Sequence, residues 1–221
     1  MAILPTLMNE KIAEYAEKNF SSETHELSQL LIDARTSGIP EISIGGVQGA
    51  FLQTMVKLLN AKVIVEIGSL AGYSAITMAL AMENGGTVHC FEREPDYCDF
   101  IAKQAKSIGV GDRIVIHSGN AEETLQNFDA KDIDMIFIDA DKPSYVKYLE
   151  LLLPKVRSGG VIIGDNALAW GYVADESPAF EPENVKGIQA FNQTMKNHPD
   201  LHPPCIIPLG DGMCMAVKKH L

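Results

Sequence analysis

The chain has 221 residues, 46% hydrophobic and 21% charged, enough to bury a core as one globular domain without disulfides or a structural metal. Its 18 basic and 29 acidic residues give a net charge of −11, which excludes charge-driven recruitment of a nucleic acid or an anionic membrane. The four cysteines form no C-x-x-C pair, no charged-then-apolar leader opens the sequence, and no run approaches the ~20 apolar residues of a membrane helix, so a cytoplasmic protein with reduced core cysteines is expected.

Apolar residues at helical spacing predict helices over residues 10–19 and 23–36, with Ser21, Ser22 or Thr24 as cap of the second. Gly38-Ile39-Pro40 breaks the pattern, which resumes over residues 48–59. Residues 1–62 thus read as a helical preface and 63–221 as the core of the same single domain. In the core, Val63-Ile64-Val65-Glu66-Ile67 is a buried-strand run, residues 73–82 are helical, and Gly85-Gly86 stops them. Strands follow over 87–92, 113–117, 133–138 and 161–164, with helical patterns over 95–107, 121–128 and 144–153 between them. Such alternation predicts an α/β, Rossmann-like, doubly wound sheet, mostly parallel. Residues 205–209 and 213–217 flank Gly210-Asp211-Gly212 and predict a closing antiparallel hairpin.

In open α/β sheets ligands bind beyond the carboxyl ends of the strands, so the residues just after each strand carry the chemistry. The first strand ends in Gly68-Ser69-Leu70-Ala71-Gly72, followed by a helix. Glycine there admits a ligand close to backbone, and the helix start favours an anionic group. No G-x-G-x-x-G occurs, which favours a nucleoside bearing a carboxylate over a pyrophosphate, and disfavours an NAD-type dehydrogenase. Glu92 ends the second strand, where an acid accepts hydrogen bonds from ribose hydroxyls; the bland alternative is a solvated carboxylate, as expected for Glu94 and Asp96. The fourth strand ends Asp139-Ala140-Asp141-Lys142 and the fifth Asp165-Asn166. Asp139, Asp165 and Asn166 at adjacent strand ends give three oxygen donors with no His or Cys, a set suited to a hard cation, Mg²⁺ above all; helix capping by Asp165 or Asn166 is the alternative. Lys142 beside a dication is expected to have a lowered pKa and to serve as general base, unless it is a surface lysine paired with Asp141.

These motifs carry a family resemblance. VIVEIGSLAGYSAITMA, HCFERE, DMIFIDADKPSY, GGVIIGDN and PLGDGMCMAVKK resemble, in order, the cation-dependent O-methyltransferases that include catechol and caffeoyl-CoA O-methyltransferases. The resemblance runs from about Ile42 to the carboxyl end. It implies S-adenosylmethionine as cofactor, with Glu66, Gly68, Tyr73 and Ser74 around the methionine part and Glu92 on the ribose. Ala121 would lie against the adenine, with Ile42, Ile44, Asp139 and Asp141 also lining the cofactor. It matches Asp139, Asp165 and Asn166 to the metal ligands and Lys142, with Asp139, to the catalytic groups. Asp139, Lys142, Asn166 and Trp170 would face a small aromatic diol, and a homodimer is implied. Two departures stand out: S-I-G-G-V-Q-G lacks the Ser or Thr that relatives often carry before the glutamine or glutamate, and Trp170 lies one position later than the common tryptophan. The alternatives are a caffeoyl-CoA or other natural-product phenol as acceptor, and a non-catalytic, cofactor-binding dimer.

Overall fold

A computed structural model describes residues 8–83 and 85–220. Three helices come first. In α1 (Glu10–Phe20) the Asn9 side chain accepts from the N–H of Ile12, and in α2 (His25–Thr36) Thr24 accepts from Leu27, so Thr24 is the cap among the three candidates. α3 (Gly46–Leu59) ends on Asn60 in the left-handed conformation. The alternating core then runs β1 (Val63–Ile67), α4 (Tyr73–Ala81), β2 (Thr87–Glu92), α5 (Pro95–Ile108), β3 (Ile114–Ser118), α6 (Ala121–Thr124), β4 (Ile133–Ile138), α7 (Tyr145–Leu152) and β5 (Val156–Gly164). It closes with α8 (Pro182–Asn197), β6 (Cys205–Ile207) and β7 (Met213–Val217).

The sheet order is β3-β2-β1-β4-β5-β7-β6. β1 to β5 pair in parallel, and β7 runs antiparallel to both β5 and β6. The mostly parallel sheet with a closing hairpin is as expected, although β7 lies inside β6 and so joins the hairpin to the parallel part. β1 and β4 are apolar almost throughout because helices cover both faces of the sheet. One face packs Ile64, Phe137 and Ile163 against α2, α3 and α4 through Leu27, Leu30, Leu52 and Ile76. The other packs Val65, Ile136 and Ile162 against α7 and α8 through Leu149, Leu152, Ile188 and Phe191.

Several expectations are corrected. α8 is absent from the elements predicted above, yet Val185, Ile188, Phe191 and Met195 are all buried, each contributing about 1.5–3 kcal/mol of transfer free energy. β5 begins five residues before the predicted start at 161. Its polar opening is held extended by Arg157, which donates to Asp134 at 2.6 Å, and by the Gly159 N–H, which donates to the Lys218 carbonyl. The single helix predicted over 121–128 is four residues of α6 and a 3₁₀ turn. Cys90, Cys98 and Cys214 are buried free thiols, but Cys205 is exposed on the outer strand β6, not in the core.

Candidate active site

The chain reverses direction across the sheet between β1 and β4, and a cavity of about 720 Å³ opens there, beyond the strand carboxyl ends. One wall is the β1–α4 turn with Gly68, Tyr73 and Ser74. Gly68 has φ +86°, and a Cβ on it would stand 2.2 Å from the Asp139 carbonyl oxygen, so only glycine lets this turn pass the end of β4. Glu92, at the end of β2, accepts from the N–H of Leu70 at 2.7 Å and of Glu94 at 2.9 Å, and its carboxylate lines the cavity. It is therefore a held carboxylate, whereas Glu94 pairs with Arg93 at the surface. Ile42, 71% exposed, the buried Ile44, and Ala121 at the start of α6 complete this end.

Glu66 is buried beneath the cavity floor. Neither of its carboxylate oxygens has a hydrogen-bond partner. Burial pushes its carboxyl up to about 7, against the opposing influence of the nearby Ser69 and Ser74 hydroxyls.

A second part of the wall carries Asp139, Asp141, Lys142, Asn166 and Trp170, with Asp139 directly beside the Gly68 turn. The Asp165 N–H donates to the Ile138 carbonyl, so Asp139 and Asp165 leave neighbouring strands side by side. Asp165 is buried behind the cavity lining, and burial together with the Asp139 charge raises its pKa. Lys142 is 9% exposed and donates to Asp139 Oδ1 and to the Tyr145 hydroxyl, both at 2.9 Å. Its partner is thus Asp139, and the alternative of a surface pair with Asp141 is set aside. Asp141 instead accepts from the Tyr148 hydroxyl at 2.6 Å. Trp170 is 39% exposed and meets Phe180 edge-on at 5.6 Å between ring centroids.

Three residues not singled out in the sequence reach this wall. Gln48 of α3 is buried and donates to Asp165 Oδ1 at 3.1 Å. Tyr145 of α7 is buried against Lys142. Asp211, in the β6–β7 turn, accepts from the Asn166 carboxamide at 3.3 Å. Gln48 lies in S-I-G-G-V-Q-G and Asp211 in G-D-G, so both motifs were visible while their long-range partners were not.

Chemically, the Asp139 and Asp165 carboxylates lie close enough to interact, Asn166 follows Asp165 at the same strand end, and its Nδ2 is already bonded to Asp211, leaving Oδ1 for a ligand. No cluster of three or more His, Cys, Asp or Glu that could hold a metal occurs among the described residues, so a cation here would depend on the carboxamide as third ligand. This all-oxygen set fits a hard dication, which would also relieve the repulsion between Asp139 and Asp165.

The profile of the O-methyltransferase family matches residues 17–219. The chain belongs to this family. A catechol O-methyltransferase of Niastella koreensis is 34% identical over 223 residues, covering 96% of this chain and all of the relative. A caffeoyl-CoA O-methyltransferase of Populus kitakamiensis is 31% identical, covering 95% and 94%. Among solved structures, the O-methyltransferase of Bacillus cereus in complex with SAH is 30% identical, with a TM-score of 0.86 over 95% of this chain and 97% of that one. As an O-methyltransferase, the chain needs a methyl donor and a hydroxyl acceptor in one cavity. Its glycine turn and Glu92, and its Asp139 and Lys142, line one and the same cavity.

Proposed function

We propose that this O-methyltransferase moves the methyl group of S-adenosylmethionine to one hydroxyl of a small vicinal-diol aromatic, with a divalent cation, Mg²⁺ first, held by Asp139, Asp165 and Asn166. The observation that carries this reading is that one cavity is lined both by the Gly68 turn and Glu92 and, directly beside that turn, by Asp139 with its bonded Lys142. The cofactor supplies an activated methyl on a sulfonium, and the cation supplies Lewis acidity that lowers the pKa of a diol hydroxyl. Glu92, fixed by two backbone N–H groups, accepts from the ribose hydroxyls. Glu66, Tyr73 and Ser74 border the methionine part, and the unpaired Glu66 carboxylate offers its charge to a cationic ligand. Ile42, Ile44, Ala121 and Asp141 complete the donor half. Lys142, once released from its proton as the neutral amine, would take the hydroxyl proton and return to the ammonium that Asp139 and the Tyr145 hydroxyl hold in place. Trp170 forms the outer wall against the acceptor ring.

The charges favour a small diol over a CoA thioester. Among the described residues lining the cavity, the cations Arg93 and Lys142 are each already paired, with Glu94 and Asp139. The segment beyond Trp170 exposes Asp175, Glu176, Glu181 and Glu183, a poor berth for a polyphosphate.

We also propose a homodimer that works in the cytoplasm. No helix among the described residues is long and apolar enough to cross a membrane, and α1 buries none of its residues while exposing Tyr15 and Phe20. The function is tested by methyl transfer to catechol, caffeate and caffeoyl-CoA, with EDTA and with added Mg²⁺. Transfer to the small diols that EDTA abolishes and Mg²⁺ restores is expected. Full activity in EDTA removes the cation, and transfer confined to caffeoyl-CoA removes the small-diol reading.

A further inference from the structure

Three of the seven non-glycine residues with positive φ among the described residues lie between Asn166 and Trp170, at and just after the candidate cation ligands. Asn166, Ala169 and Trp170 have φ of +58°, +49° and +54°, and Gly171 follows at +88°. Residues with side chains adopt this region only where their surroundings over-determine it. Here the determinant is the turn between β6 and β7. Both carboxylate oxygens of Asp211 lie 2.9 Å from the Trp170 N–H, and Oδ2 also accepts from Asn166 Nδ2 at 3.3 Å. The Leu168 N–H donates to the Asp211 carbonyl and the Ala167 N–H to the Gly212 carbonyl. Asp211 forms no ion pair among the described residues, so its carboxylate is given over to these two N–H contacts.

We propose that Asp211 is a positioning residue that sets the acceptor specificity and the cation affinity of this site together. One carboxylate fixes the Asn166 carboxamide with its oxygen left for a ligand, and fixes the Trp170 backbone so that the indole stands as a wall. The proposal rests on the reading of Asn166 as a cation ligand and of Trp170 as part of the acceptor pocket. The rest of the loop has its own anchors: Asn192 of α8 donates to the Ala167 carbonyl, and Gln189 donates to the carbonyls of Val173 and Asp175. Loss of Asp211 therefore frees residues 166 and 170 without releasing the whole segment.

Chemistry separates the two roles. Asp211→Asn keeps one carbonyl oxygen for the Trp170 N–H, but its amide NH₂ competes with Asn166 Nδ2, a donor facing a donor. Asp211→Ala removes both contacts. Trp170 is the sole tryptophan in the chain, so its emission reports on the wall without any turnover. In Asp211→Ala we expect red-shifted, less anisotropic Trp170 emission, divalent-cation affinity about tenfold weaker by calorimetry, a raised acceptor KM, and lost discrimination between catechol and ring-bulky catechols. SAH affinity stays as in the wild type. In Asp211→Asn the cation affinity falls while Trp170 emission and acceptor discrimination hold, and this variant decides the matter if Asp211→Ala fails to fold. Unchanged emission and cation affinity in either folded Asp211→Ala or, for the cation, Asp211→Asn overturn the proposal, as does an equal loss of SAH affinity, which signals general disruption. A wild type that binds SAH but no divalent cation sinks the cation reading and the Asn166 half of this proposal, while Trp170 emission and acceptor KM still decide the other half.

Discussion

A Cβ on Gly187 would stand 2.4 Å from the Lys142 carbonyl oxygen, so α8 meets the turn carrying Lys142 backbone to backbone. Crowding at this contact would displace the backbone from which the Lys142 side chain reaches into the cavity. Helix propensity alone makes Gly187→Ala stabilising by about 1 kcal/mol. The collision with a carbonyl reverses the sign, since overpacking costs about 1–3 kcal/mol. Gly187→Ala is expected to lower the melting temperature and to lower kcat by about a hundredfold through misplacement of the amine. A kcat equal to wild type would show that α8 does not set the lysine's position.

Lys142→Met keeps the stem and removes the amine. Turnover is expected to fall by roughly 10²–10⁴-fold, the usual contribution of a general base. SAH binding by calorimetry is expected to stay within about twofold, because the Lys142 amine bonds Asp139 and Tyr145 and neither Glu66 nor Glu92 of the proposed donor half. Loss of SAH affinity on the same scale as turnover would place Lys142 with the cofactor instead.

Glu66 has its carboxyl raised from 4.5 to about 7 by burial. The native state therefore binds more protons than the unfolded state across that window, and this group's contribution to stability declines as pH rises from about 4.5 to 7. Glu66→Gln has no such dependence. Without ligand, the variant's stability relative to wild type is expected to grow across that window and level off above it, while its affinity for S-adenosylmethionine drops at least about tenfold. Denaturant titrations at several pH values, paired with calorimetry, check both. A variant binding the cofactor as wild type does would remove Glu66 from the donor half.

His89 and His117 face each other across β2 and β3, their ring nitrogens 3.1 Å apart. His117 stacks on Phe91, and Phe128 meets both histidines edge-on. Burial first, then the neighbouring imidazole, lowers His89 from 6.5 to about 4, and burial lowers His117. Here the unfolded state binds more protons, so the stability from the neutral pair is complete above about 6.5 and lost as pH falls toward 4. His89→Gln is expected to flatten that decline in urea midpoints measured from pH 7.5 to 5. An identical slope in the variant would show that other groups govern acid sensitivity. Glu66 acts in the opposite direction in part of this window, so each variant is compared with wild type rather than read alone.

The strands were legible because β1, β2, β4 and the last part of β5 are short apolar runs ending in glycine or acid, and their ends named Gly68, Glu92, Asp139 and Asp165. α8 was missed although Val185, Ile188, Phe191 and Met195 mark one helical stripe. Gly187 and the surrounding Asn and Gln residues dilute its hydropathy, and only packing on α7 and β5 decides it. The expected strand began only at 161 because Ser158, Gly159 and Gly160 are poor strand formers, and the Arg157–Asp134 pair that extends residues 156–160 is 23 residues apart in sequence. Gln48 and Asp211 were hidden for the same reason. Their partners Asp165 and Asn166 lie 117 and 45 residues away, and no local pattern encodes such a meeting.

The sheet is not assembled in the order in which it is translated. β7 fills the slot between β5 and β6, so β6 has nothing in the sheet to pair with until residues 213–217 have left the ribosome. Docking of β7 also seats the Gly212 carbonyl, just before it in the chain, that receives the Ala167 N–H. A nascent chain halted before residue 213 therefore carries Asp139, Lys142, Asp165 and even Asp211, but not the strand that seats the Asp211 turn against the sheet, so the proposed acceptor side would take its shape only once β7 is in place.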